Sequence, residues 1–232
     1  MITTVVFDLD DTLYDELDYC RSGMAAVAAF LSQRPGSPAS DQIYAVLWDV
    51  FIHEDRRRTF NIALERLGLP YDQTLIAELV RVYRNHKPQL TLPQETHQVL
   101  EASASEYDLA LLTDGFLPAQ KYKVEALGIA HRFEPIVYTE ELGREFWKPS
   151  PVGFEKILAH LHAEPHQAVY VADNPIKDFI APNQLGFATI RVRRPNRIHS
   201  ADVNQADARA KYEIRTLGDL PCLLQRISRE TE

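Results

Sequence analysis

Two carboxylates define the chemistry open to this chain. In the stretch 3–14, TTVVFDLDDTLY, the apolar, β-favouring run Val5-Val6-Phe7 stops at Asp8, and Asp10, Asp11 and Thr12 follow at once. A buried parallel strand has this pattern, and open α/β sheets place their chemistry at the carboxyl ends of such strands. Asp8 and Asp10 at that point repel one another, and each loses hydration. A divalent cation removes the difficulty, because carboxylate and carbonyl oxygens are the ligands magnesium takes. A plain turn and N-cap would also read Asp-Asp-Thr. Three further polar clusters lie downstream: Thr113-Asp114-Gly115 after the strand-like run DLALLT, Lys148 within WKPSP, and Asp173 with Asp178 within ADNPIKD, after AVYVA. Each alone reads as a turn, an exposed lysine or an N-cap with a helix acid. Their order, each at a strand end or its loop, supplies the context that a single motif lacks.

FDLDDTLY resembles the first motif, DxDxT, of the haloacid dehalogenase superfamily, and the later clusters resemble its second, third and fourth motifs. The resemblance runs over nearly the whole chain and points to the phosphatase branch with a helical C1-type cap. It implies that Asp8 is the nucleophile and Asp10 the general acid and base. It implies that the Thr113 hydroxyl and the amides of Asp114 and Gly115 bind phosphoryl oxygens, while Lys148 neutralises phosphate and nearby carboxylates. The implied Mg2+ ligands are Asp8, Asp10 through its carbonyl, and Asp173. Asp178 would hold Lys148 or a metal-bound water. Ala172 stands where the family often has Gly. Asp11 receives no role and reads as a solvated or turn residue.

The function implied is a magnesium-dependent phosphatase that hydrolyses a small phosphorylated metabolite, a sugar phosphate or nucleotide, through an aspartyl-phosphate. Three alternatives stand beside it. A dehalogenase of the same fold has no need of Asp10, because halide leaves without a proton. A phosphomutase also needs an Asp at position 10. A non-catalytic relative that binds a phospho-ligand would not need every motif residue intact.

These residues need strands to carry them. Strand-like runs 108–113, 136–139, 168–172, 188–192 and 212–217 alternate with helical patterns at 94–104, 118–127, 152–161, 176–185 and 220–227. Alternation of this kind reads as a doubly wound parallel sheet. Between Tyr14 and Pro88 the period is helical throughout: Leu17, Cys20, Met24, Val27, Ala28 and Leu31 share one face, and Ile43, Leu47, Val50 and Phe51 another. Phe60, Leu64 and Leu67 follow, then Leu75, Leu79 and Tyr83, with Ser40 as an N-cap candidate. The expected architecture is therefore a Rossmann-like α/β core, residues 1–14 and 89–232, with an inserted all-helical bundle cap at 15–88.

Composition narrows the partners. The 232 residues are 45% hydrophobic and 25% charged, with a net charge of -8, an ordinary globular balance that speaks against nucleic acid or an anionic membrane as partner. A small-molecule phosphate ester is the partner expected. No apolar run approaches the ~20 residues of a membrane helix, the strand begun by residue 3 leaves no room for a signal peptide, and cytoplasm is the expected location. The two cysteines, Cys20 and Cys222, form no metal or disulfide pattern. His160 and His162 lack further zinc ligands nearby. Arg56-Arg57-Arg58 reads as a solvated run with a lesser claim to substrate contact.

Overall fold

Short β-branched runs closed by turns become strands. In the computed structural model, which describes residues 1–198 and 205–230, these are β1 (Thr4–Phe7), β2 (Asp108–Thr113), β3 (Ile136–Tyr138), β4 (Ala168–Ala172), β5 (Ala188–Val192) and β6 (Tyr212–Ile214). They form one sheet in the order β3-β2-β1-β4-β5-β6, with every neighbouring pair parallel. The strand order reverses beside β1, the position where sheets of this kind open a crevice. Phe7 lies opposite Leu111 and Val171, and the amide of the next residue, Asp8, donates to the Val171 carbonyl at 2.9 Å. Asp8 is thus the first residue past the sheet at that crevice.

Between the strands run α5 (Gln94–Ala104), α6 (Ala119–Ala126), α7 (Val152–Leu161), α8 (Ile180–Leu185) and the terminal α9 (Leu220–Glu230). They follow α1 (Glu16–Ser32), α2 (Ser40–His53), α3 (Thr59–Leu67) and α4 (Gln73–Asn85). Phe154 of α7 packs edge-on against Tyr170 of β4, centroids 4.8 Å apart, and against Phe187 at 5.7 Å. Each such ring, fully buried, contributes roughly 1.5–3 kcal/mol relative to exposure.

Contacts divide the chain into two compact units. The first holds the sheet and comprises Met1–Leu17, Thr91–Phe116 and Val124–Glu232; the second comprises Asp18–Leu90 with Leu117–Lys123. In the second, α1 buries Cys20, Met24, Val27, Ala28 and Leu31, and α2 buries Ile43, Leu47, Val50 and Phe51. The helical period read from the sequence thus matches the buried faces. Gly23 is required by contact: a Cβ there would run into the Tyr83 ring of α4. Among the described residues no helix is long and apolar enough to cross a membrane.

Several local expectations change. Ser40 is the first residue of α2 rather than its cap; Ala39 takes the cap position, without a side-chain bond. The helix expected from Ile176 begins only at Ile180. Residues 174–178 form a turn instead, because the Asp178 carboxylate accepts from the Asn174 amide at 3.0 Å and the Asn174 side chain accepts from the Ile176 amide at 3.0 Å. Such side-chain bonds compete with helix formation. The strands expected to end at Thr139 and Leu217 stop at Tyr138 and Ile214. Thr139 instead opens a 3₁₀ turn whose hydroxyl is bonded to Asp114, and Leu217 opens another.

Candidate active site

One buried chain of charges crosses the carboxyl end of the sheet. The Lys148 ammonium lies 2.6 Å from Asp8 Oδ1 and 2.8 Å from Asp178 Oδ1, and it donates to the Tyr170 hydroxyl at 2.9 Å. Its side chain is 1% exposed. An ammonium so buried persists only when paired. Burial alone would depress the Lys148 pKa, but Asp178 and Asp8 together hold it well above the usual lysine value. Asp178 stays below the ordinary carboxylate range: burial pushes it up, and Lys148 and Lys177 outweigh that. Burial lifts Asp8 to about 6, with Lys148 pulling the other way. The Thr12 hydroxyl donates to the other oxygen, Asp8 Oδ2, at 3.4 Å.

Asp173 is the first residue past β4, the neighbour of β1 on the opposite side from β2. Carboxylate oxygens of Asp8, Asp173 and Asp178 all lie within 4.8 Å of one another. Asp173 Oδ2 is buried and finds no partner among the described residues. Burial, with Asp178 and Asp8 adding repulsion, lifts the Asp173 carboxyl to about 9. A buried, unpaired carboxylate oxygen beside two other acids fits a hard divalent cation, whose ligands are oxygens. The carbonyl of Asp173 accepts from Arg191 Nε of β5 at 3.0 Å, which fixes that turn.

The other sequence-derived positions gather nearby to different degrees. Asp10 is half-buried, and its Oδ1 accepts from the Tyr14 hydroxyl at 2.5 Å. Its carboxylate is not among the three clustered acids. Thr113 ends β2 and is buried. Asp114 Oδ1 accepts from Thr139 Oγ1 at 2.8 Å and from the Lys148 amide at 3.2 Å, so it braces the second cluster against the third. Gly115 has φ 142°, a region that side chains disfavour. Asp11, read as a solvated or turn residue, is buried at 1% exposure with φ 54°. Its carboxylate accepts from the amides of Glu16 at 2.9 Å and Ile198 at 2.6 Å. It is a turn residue, and the two amides replace the water it loses.

Four residues of this site receive no role from the sequence. Thr12 and Tyr170 look like a motif neighbour and a core strand residue. Arg191 reads as an interruption of β5. Lys177 lies 3.5 Å from Asp114 Oδ2 with its side chain 32% exposed, and brings a second lysine to the acids. In Lys177 the spacing of four from Asp173 was the available clue, since the turn at 174–178 returns it to the strand end.

The weaker candidates fall elsewhere. His162 is the left-handed C-cap of α7, φ 51°, and His160 lies 3.8 Å from Glu134. Arg56–Arg58 form a 3₁₀ turn between α2 and α3. Arg57 pairs with Asp55 at 3.2 Å and Arg58 lies 3.7 Å from Glu65, both pairs well exposed. Exposed pairs of this kind contribute roughly 0–1 kcal/mol. Changing Arg57 and Arg58 together to Gln is expected to leave the melting temperature within about 2 °C, as surface changes do; a larger drop in a thermal scan would show a structural role.

Residues 5–192 match the family of haloacid dehalogenase-like hydrolases, and the chain belongs to that family. A glyceraldehyde 3-phosphate phosphatase of Methanopyrus kandleri is 30% identical over 200 residues, covering 84% of this chain and 85% of the relative. A ribulose-1,5-bisphosphate 5-phosphatase of Halopiger xanaduensis is 28% identical over 97% of this chain and 100% of its own length. Among solved structures, a 2-haloacid dehalogenase from Pseudomonas syringae pv. Tomato DC3000 is similar with a TM-score of 0.66 at 28% identity, covering 97% of this chain and 99% of that one.

Proposed function

We propose that this chain is a magnesium-dependent phosphatase of small phosphorylated metabolites, with Asp8 as nucleophile and Asp10 as general acid and base. The observation that carries the reading is the Asp8–Lys148–Asp178 chain beside the unpaired buried oxygen of Asp173. Relatives named as phosphatases of small metabolites support the substrate class.

Charge dictates the division of labour. A phosphomonoester dianion repels a carboxylate, so attack by Asp8 needs positive charge fixed in advance. Lys148, bonded to Asp8, supplies part of it and holds the nucleophile in one orientation. Asp8 and Asp173, with the carbonyl of Asp10, would hold Mg2+, which when bound screens the phosphoryl charge. Thr113 and the amides of Asp114 and Gly115 would take phosphoryl oxygens. Asp8 forms the new O–P bond as the ester O–P bond breaks, and Asp10 gives its proton to the leaving oxygen. Water then attacks phosphorus, Asp10 takes a proton from it, and the Asp8–phosphorus bond breaks. Tyr14, donating to Asp10 Oδ1, orients that carboxylate. Asp10 also separates this reading from dehalogenation, where the leaving halide takes no proton.

The test is a phosphate-release screen over a metabolite panel. Release is expected with Mg2+ present, to fall to background after dialysis against excess EDTA, and to return on adding Mg2+. Undiminished turnover in EDTA would remove the metal assignment.

A further inference from the structure

We propose that Phe116, Glu140, Arg144 and Trp147 form a leaving-group subsite on the sheet-bearing unit, built for a neutral, hydroxylated carbon skeleton. The inference rests on the phosphatase reading and goes on to say what the phosphate is attached to. None of the four belongs to the motif residues, yet two of them adjoin those residues in the chain. Phe116 follows Gly115, and Trp147 precedes Lys148. Consecutive Cα atoms are about 3.8 Å apart, and the Lys148 amide is bonded to Asp114 Oδ1 at 3.2 Å. The two rings therefore flank the junction between the second and third clusters. They meet edge to face, centroids 5.4 Å apart at 74°.

Two polar atoms in this group are buried and unmatched among the described residues: the Trp147 indole Nε1 and Glu140 Oε2. A buried indole N–H ordinarily finds an acceptor, and unsatisfied buried groups in a native protein call for a partner. One is a donor and the other an acceptor. A hydroxyl group is both, so a skeleton bearing several hydroxyls can satisfy the pair.

The charges point away from a second phosphate. Arg144 covers one face of Phe116, its guanidinium carbon 4.6 Å from the ring centroid. Arg144 Nε and Nη2 also donate to Glu140 Oε1 at 3.3 and 3.2 Å. Glu140 thus offsets Arg144, and its remaining oxygen is an acceptor that repels anions. Geometry disfavours a nucleobase as well. The rings are perpendicular rather than parallel, and one face of Phe116 is taken by Arg144, so no open slot for a flat base is formed. A sugar or polyol phosphate matches the donor, the acceptor and the apolar wall together.

The test compares kcat/KM in the presence of Mg2+ for erythrose 4-phosphate, ribose 5-phosphate, glucose 6-phosphate, n-pentyl phosphate and AMP. A site built to bond hydroxyls discriminates strongly against an analogue lacking them. The best sugar ester is expected to exceed n-pentyl phosphate by at least about tenfold. Trp147→Phe keeps an aromatic ring and removes the donor. It should shrink that ratio about threefold to tenfold, the worth of one neutral hydrogen bond. Glu140→Gln, which removes the charged acceptor, should shrink it too. Equal use of pentyl and sugar esters by the unmodified protein, or equal loss on both in Trp147→Phe, would overturn the subsite. So would AMP as the best substrate, while leaving the phosphatase reading intact. Release of phosphate from none of the five, nor from p-nitrophenyl phosphate, would remove both.

Discussion

Asp8→Asn is expected to abolish phosphate release while the protein stays folded. The amide is nearly isosteric with the carboxylate: its oxygen can still accept from Lys148, which lies 2.6 Å from Asp8 Oδ1, while its NH2 takes the place of Oδ2 and can donate to the Thr12 hydroxyl 3.4 Å away. Lys148 also keeps its second carboxylate, Asp178, at 2.8 Å, so no buried charge is stranded. Packing is unchanged, and the β1 residues before it remain fully buried. The chemistry is what suffers: an amide oxygen is a poor nucleophile, and the acid cluster with Asp173 loses one negative charge. A loss of at least ~10³-fold in kcat is expected, in line with removal of other essential nucleophiles. Circular dichroism and a melting curve close to those of the unmodified protein would complete the result. A rate within tenfold of the original, with the fold retained, would move the nucleophile elsewhere.

Lys148→Met is expected to damage both stability and rate. The methionine fits the volume, but Asp8 and Asp178 then face one another, buried, with their common cation gone. Breaking a buried pair by removing one partner costs about 3–5 kcal/mol, because the remaining charge is uncompensated. For a chain of this size that corresponds to a fall in melting temperature of roughly 6–20 °C. Lys177 relieves only part of the repulsion, since its one ion pair within reach among the described residues is with Asp114, at 3.5 Å. Activity should fall by about 10²–10³-fold, as when one fixed donor to a developing charge is removed. The double variant Lys148→Met, Asp178→Asn separates the two effects. It should recover most of the melting temperature, because one of the two unpaired acids is gone, and recover little of the rate. Recovery of both would reduce Lys148 to a structural counter-ion; recovery of neither would mean that the buried charge is not the source of the instability.

Periodicity and local order made much of this protein legible in its sequence. The runs Asp108–Thr113, Ala168–Ala172 and Ala188–Val192 appear as strands with the limits their composition suggests, because an apolar run bounded by turn residues has few other stable states. The helical faces of α1 and α2 are those the three- and four-residue spacing marks. The order of the acids, hydroxyl and lysine is also local information, since each belongs to a strand end or the loop that follows it. What the sequence could not carry was which charge meets which. Lys148 and Asp8 are 140 residues apart and form a 2.6 Å contact, and Tyr170 joins them only because β4 lies beside β1 in the sheet. Asp11 looked solvated because its two amide donors, at Glu16 and Ile198, include one 187 residues distant. The turn at 174–178 replaced a helical period because Asp178 spends one oxygen on the Asn174 amide and the other on Lys148. Local spacing determines which face of an element is apolar; parallel strand order determines which strand ends share a site, and that order is fixed by packing between segments far apart in the chain.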